Sequence, residues 1–160
     1  MAINVREKGK RGEMQVRDLL RDKTGLKWER VPGSGAFNES HALKGDVYLP
    51  PSQKAHSVYC YEVKWYKDDQ LNSNIFNVGT HQIEKWWEQT TREAEQMNMK
   101  PALVFKKDKG EWLIALDYED ESASALLDHH YIVISKRETN VIIGQFKVWL
   151  HNISKEEIIQ

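Results

Sequence analysis

Apolar positions recur at helical spacing between about Arg11 and Lys23, where Val16, Leu19 and Leu20 share a stripe and Gly25 supplies a C-cap. Residues 1–10 are polar, basic and broken by Gly9, and are expected to form a mobile basic arm ahead of that helix. Leu26–Val31 reads as a short strand ending in the loop Pro32-Gly33-Ser34-Gly35-Ala36, and Val47-Tyr48-Leu49 as a second short apolar run. Val58 to Trp65 is rich in β-branched and aromatic residues and predicts a longer strand. A polar loop over 66–79 leads to a helix capped by Thr80, whose apolar stripe is Ile83, Trp86, Trp87, Ala94 and Met97. Ala102–Phe105 and Trp112–Leu116 flank Lys107-Asp108-Lys109-Gly110 as a hairpin. Beyond the acidic block Asp117–Glu121, a short helix is expected over 122–130 and a strand over 131–134. Residues 138–151 are broadly apolar and fit helix or strand.

The strand over 58–65 breaks its own apolar pattern twice. Alternation puts Glu62 and Lys64 on one face and Val63 on the other. A carboxylate and an ammonium inside an apolar strand are costly to bury unless they are paired or bind something. If the run at 47–49 pairs with this strand, Asp46 joins Glu62 and Lys64 at one end of a small sheet. Two carboxylates offer the hard oxygen ligands that suit Mg²⁺, and a lysine beside them suits a site that handles phosphate. Glu13 stands with Val16 and Leu20 at i, i+3 and i+7, on or beside the inward stripe of the first helix. It also fits a first-turn glutamate paired with Arg17.

Composition narrows the class without naming a function. The chain has 160 residues and a net charge of −1, ordinary for one soluble globular domain, so 1–160 is read as a single unit. Basic residues outnumber acids in the first thirty positions, which permits a local phosphate-binding surface. Cys60 is the only cysteine and sits mid-strand, so it is expected to be a buried structural thiol. No apolar run is long enough for a membrane span and the N-terminus is too charged for a signal peptide, so a cytoplasmic location is expected. His129-His130 beside Asp128 lacks the spacing of a zinc site. The apolar C-terminal part, 117–160, is a candidate homodimer contact.

The pattern Asp46…Glu62-Val63-Lys64 resembles the PD-(D/E)xK nuclease superfamily. With Gly12-Glu13, Arg30-Val31-Pro32-Gly33-Ser34-Gly35 and Gly45-Asp46, four ordered blocks over the first 65 residues look like the archaeal-type Holliday-junction resolvases and their phage relatives. The likeness runs over roughly residues 5–116. Met14 departs from it, since many relatives have arginine after the helix glutamate, and Arg17 is the nearest substitute.

That resemblance implies an α/β restriction-endonuclease-like fold, with a central mixed sheet flanked by helices. It implies Asp46, Glu62 and the Val63 carbonyl as metal ligands, completed or oriented by Glu13, with Mg²⁺ as cofactor and Mn²⁺ able to substitute. Lys64 would position the attacking water or stabilise phosphate charge, and Gln82 would orient water from the following helix. Arg30 and Ser34 would contact phosphate, and Lys8, Lys10 and Arg11 would grip the DNA backbone. The implied activity is paired hydrolysis of strands in a four-way DNA junction by a homodimer. A restriction-type enzyme or repair nickase of the same superfamily is the alternative enzyme, and a non-catalytic DNA-binding protein of the same fold the alternative outside enzymes.

Overall fold

The computed structural model describes residues 4–32 and 43–160. Helix α1 spans Val5–Thr24 and is followed by β1 (Glu29–Arg30), β2 (Val47–Tyr48) and β3 (Tyr59–Tyr66). Helix α2 (Gln82–Gln96) leads to β4 (Lys100–Lys107), β5 (Leu113–Asp117), β6 (Tyr131–Lys136), β7 (Thr139–Gln145) and α3 (Phe146–Asn152). Among the described residues the strands form one seven-stranded sheet in the order β1-β2-β3-β4-β5-β7-β6. Only β3 and β4 run parallel, because α2 carries the chain back between them; the other neighbours are antiparallel. This is the mixed sheet flanked by helices that the resemblance implied.

Alternation along the strands builds a core on each face. Tyr59, Tyr61 and Val63 of β3, Ala102 and Val104 of β4, and Ile114 and Leu116 of β5 pack with Val16 and Leu20 of α1 and Phe146 and Trp149 of α3. Leu103, Phe105, Ala115, Val141 and Ile143 pack on the other face with Ile83, Trp86 and Trp87 of α2. Both Trp86 and Trp87 are therefore core residues. Glu62 alternates with Tyr61 and Val63, so it belongs to the side that α2 covers.

Several elements differ from their expected form. Helix α1 begins at Val5, so residues 5–10 are its opening turns and not an arm. The Asn4 side chain accepts from the Glu7 N–H at 2.8 Å, and Glu7 lies in the favourable first turn. Gly12 does not break the helix; it lets it approach Trp112, whose ring would lie 3.1 Å from an added Cβ. The cap of α2 is His81, one residue past Thr80, with a reciprocal bond from the His81 N–H to Glu84. The segment 121–126 is 3₁₀ helix.

The ambiguous stretch 138–151 is both things in turn, β7 and then α3. Its strand half reads apolar throughout because β7 is buried on both faces. Consequently Val141, Ile142, Ile143, Phe146, Trp149 and Leu150 fill the chain's own core and present no surface to a partner. Exposed apolar side chains of the C-terminal part include Tyr131, Ile132 and Val133, 43–45% accessible on the outermost strand β6, besides Tyr118 and Leu127 outside the strands.

Candidate active site

Asp46 is fixed onto β3 by its backbone and its side chain together. Its N–H donates to the Tyr61 carbonyl at 2.8 Å and its carbonyl accepts from the Val31 N–H at 2.9 Å. Its Oδ2 accepts from the Val63 N–H at 2.8 Å. The β2–β3 register pairs Val47 with Tyr61, which sets Asp46 opposite Glu62. Gly45 makes this approach possible. Its φ of 80° lies in the left-handed region, and a Cβ there would stand 2.9 Å from both the Cys60 Sγ and the Tyr61 carbonyl oxygen.

Glu62 and Lys64 are joined through a residue of α2. Lys64 Nζ lies 3.5 Å from Glu62 Oε1 and donates to Gln89 Oε1 at 3.0 Å. The Gln89 amide in turn donates to Glu62 Oε1 at 3.0 Å. The other carboxylate oxygen, Glu62 Oε2, is buried with no hydrogen-bond partner. Glu13 reaches the group from α1, buried, and its Oε2 accepts two bonds from Arg30, from Nε at 2.9 Å and Nη2 at 2.8 Å.

Burial dominates the electrostatics. It is the largest effect on Glu13, Asp46 and Glu62, and it pushes all three carboxyls up. Glu13 rises to about 7, with the charge of Asp46 adding to burial and outweighing the Arg30 guanidinium. Glu62 stands well above the usual range through burial, then the neighbouring Asp46 and Glu93. Burial also pushes the Cys60 thiol up, which fits an inert structural cysteine.

A family model described as "Phage putative PDDEXK endonuclease" matches residues 4–160. The chain belongs to this phage PDDEXK endonuclease family. It is 59% identical to Protein D14 of Escherichia phage T5 across the whole of both chains. Among solved structures it resembles Archaeoglobus fulgidus Hjc, a Holliday junction resolvase from an archaeal hyperthermophile. That likeness is 15% identical, covers 94% of this chain and 93% of the other, and has a TM-score of 0.43.

In this member of the family, Glu13, Asp46, Glu62 and Lys64 lie together. Gln82 does not join them. It stands in the first turn of α2, two turns or ~10 Å along the axis from Gln89. Gln89 and Glu93 went unrecognised in the sequence, although both fall on the stripe set by Trp86, at i+3 and i+7. Polar residues at inward positions of a helix that must cover Glu62 and Lys64 were the available signal.

Arg30 is turned onto Glu13, because a buried carboxylate needs a partner. Lys8 bonds Asp108 at 2.7 Å and lies over the Trp65 ring, while Lys10 and Arg11 are exposed on α1. Arg17 is half-buried and pairs with Asp18. Ser34 lies outside the described residues.

The donor set fits a divalent cation of the Mg²⁺ type. Among the described residues no three Asp, Glu, His or Cys side chains form a completed cation cage. Mg²⁺ rarely uses one; it is held by one or two carboxylates, with waters and substrate phosphate filling the rest. Asp46 and Glu62 face each other across the β2–β3 pair, and the unpartnered Glu62 Oε2 is the kind of orphan such an ion satisfies. Among the described residues, no helix is long and apolar enough to cross a membrane.

Proposed function

We propose that this chain is a divalent-ion-dependent, structure-selective DNA endonuclease that makes paired nicks in four-way junctions. The convergence of Asp46, Glu62 and Lys64 where β2 meets β3 carries the catalytic part of this reading. Junction selectivity is supported by the four ordered sequence blocks that resemble the resolvases.

Asp46, Glu62 and the Val63 carbonyl would hold the ion, with Mg²⁺ as the cofactor and Mn²⁺ able to replace it. When bound, such an ion supplies polarisation of the scissile phosphate and a lowered pKa for water. The Lys64 ammonium stabilises charge developing on the phosphate. Gln89 holds Lys64 and Glu62 in register from α2. Glu13, steadied by Arg30, sets the position of Asp46. Lys10 and Arg11 are placed to meet backbone phosphates from the exposed side of α1, giving salt-sensitive binding with little base information. Two strands must be cut at a junction, so a two-fold dimer with one site per subunit fits the task. The exposed β6 edge is where a second copy would meet an apolar strand.

The test compares a labelled four-way junction with a linear duplex of the same sequence, in Mg²⁺ or EDTA. Paired nicks confined to the junction and lost in EDTA are expected. Equal cutting of both substrates would leave a duplex nickase, and binding without cutting would leave a non-catalytic DNA-binding protein. Gln89→Ala is expected to slow single-turnover cleavage about 10-fold, the scale of losing one hydrogen bond to a charged group. Its thermal shift on adding Mg²⁺ is expected to persist, since the carboxylates remain.

A further inference from the structure

Helix α2 covers the motif strand with two polar side chains one turn apart, Gln89 and Glu93. The helix runs back along β3, and three contacts fix its course. Trp86 meets Tyr66 edge-on, with ring centroids 4.8 Å apart. Gln89 bonds both Lys64 and Glu62. The Glu93 carboxyl lies within hydrogen-bonding reach of Glu62, and its charge is also felt at the Cys60 thiol. Glu93 therefore stands over the Glu62–Cys60 part of β3, beyond Gln89 as seen from Lys64.

The two glutamates do not satisfy each other. Glu62 Oε1 is engaged by the Gln89 amide and lies 3.5 Å from the Lys64 ammonium. Glu62 Oε2 and Glu93 Oε2 are both buried, and neither has a hydrogen-bond partner among the described residues. Glu62 as a whole is only 4% accessible, so bulk water does not reach it. A carboxylate oxygen only accepts, and two charged carboxylates side by side repel. A second glutamine at 93 would donate to Glu62. A glutamate there adds charge instead, which is costly in a buried place unless it is paired or binds something.

Whatever satisfies both oxygens must bring positive charge to Glu62 and a donor to Glu93. A hydrated divalent cation brings the two together. Among the described residues no three carboxylates converge on one point, so Glu93 meets the water of such an ion and not the ion itself. Mg²⁺ suits this arrangement because it gives up its waters reluctantly.

We propose that Glu93 is a positioning residue of the metal centre, accepting a hydrogen bond from water carried by a divalent cation on Glu62 Oε2. The inference rests on the metal-dependent endonuclease reading and adds α2 to the elements that hold the ion. Gln89 ties one oxygen of Glu62 to Lys64, and one turn further on Glu93 anchors the ion at the other oxygen.

The experiment titrates Mn²⁺ alone into the full, metal-free chain by calorimetry, without DNA, and follows melting in EDTA. Glu93→Gln is expected to bind Mn²⁺ about 10-fold more weakly than wild type, the scale for losing a group that holds a metal's outer shell. In EDTA the same variant is expected to melt higher, because its amide can donate to Glu62 and one of two facing charges is gone. A side chain that served only to support the fold would not move these two readouts in opposite directions.

Wild-type Mn²⁺ affinity in Glu93→Gln overturns the proposal, and the endonuclease reading stands if junction cleavage by the wild type is still lost in EDTA. Weaker Mn²⁺ binding together with a lower melting temperature in EDTA also overturns it, in favour of Glu93 as structural support. A wild-type chain that neither binds Mn²⁺ nor needs a divalent ion for cleavage overturns both the role of Glu93 and the metal-dependent reading.

Discussion

Asp46→Asn is expected to abolish DNA cleavage, by at least about 10³-fold, while raising the melting temperature of the metal-free protein. The two effects have one cause. Asp46, Glu62 and Glu13 are buried together, and burial holds each carboxyl above its ordinary range. A carboxyl whose folded pKa is raised binds its proton more tightly folded than unfolded. Stability is then fully present below the unfolded pKa and is lost as pH rises through the folded value. For Glu13 that window runs from its ordinary 4.5 to about 7. Near neutrality the free site is therefore a source of strain. An asparagine at 46 keeps an oxygen for the Val63 N–H and removes a charge that opposes Glu62 and Glu13. Each kcal/mol regained is read as about 2–4 °C for a chain of this size. A cation relieves the same repulsion in the wild type, so Mg²⁺ is expected to raise its melting temperature, and by more as pH climbs from about 5 to 8. Differential scanning fluorimetry across pH, with and without Mg²⁺, reads both. A variant that lost activity yet still shifted with Mg²⁺ would remove Asp46 from the ligand set.

What was legible in the sequence follows the reach of local rules. The motif strand could be read because alternation puts Glu62 and Lys64 on the same face whatever surrounds them. Asp46 could be paired with it because a short apolar run follows at once. The resemblance implies Gln82 near the start of α2, whereas the depth at which α2 crosses β3, which brings Gln89 to Lys64 and Glu62, is a tertiary fact. Lys64 sits near the end of β3, and the long loop over 67–81 sets the start of α2 beyond it. The glutamine that touches Lys64 and Glu62 therefore lies two turns further in. Arg30 shows a similar limit. From the sequence it is one more cation before a glycine-rich loop, and its assignment to Glu13 depends on α1 and β1 lying side by side. The expected mobile arm is helix for a different reason. Gly9 and Gly12 look like breaks, yet Gly12 is a point of close helix–sheet contact beneath Trp112. The C-terminal part resisted reading because a strand buried on both faces has no alternation to show.

Gly45→Ala is expected to cost about 2–5 kcal/mol of stability and to reduce cleavage more than the loss of folded protein explains. The left-handed φ of 80° costs a non-glycine residue about 1–2 kcal/mol. Overpacking a filled site adds about 1–3 kcal/mol. The new methyl would meet the Cys60 Sγ and the Tyr61 carbonyl oxygen, each at 2.9 Å. That carbonyl also accepts the Asp46 N–H, so relief of the contact must move the bond that docks Asp46 on β3. The double variant Gly45→Ala/Cys60→Ala separates the two contacts. Removing the sulfur relieves only the side-chain clash and leaves the backbone contact, so activity is expected to stay low. Chemical denaturation and cleavage rates normalised to folded protein would measure this. Full rescue by Cys60→Ala would mean that space beside the sulfur matters at this position, and that the backbone of Asp46 is held by something other than its fit against Tyr61.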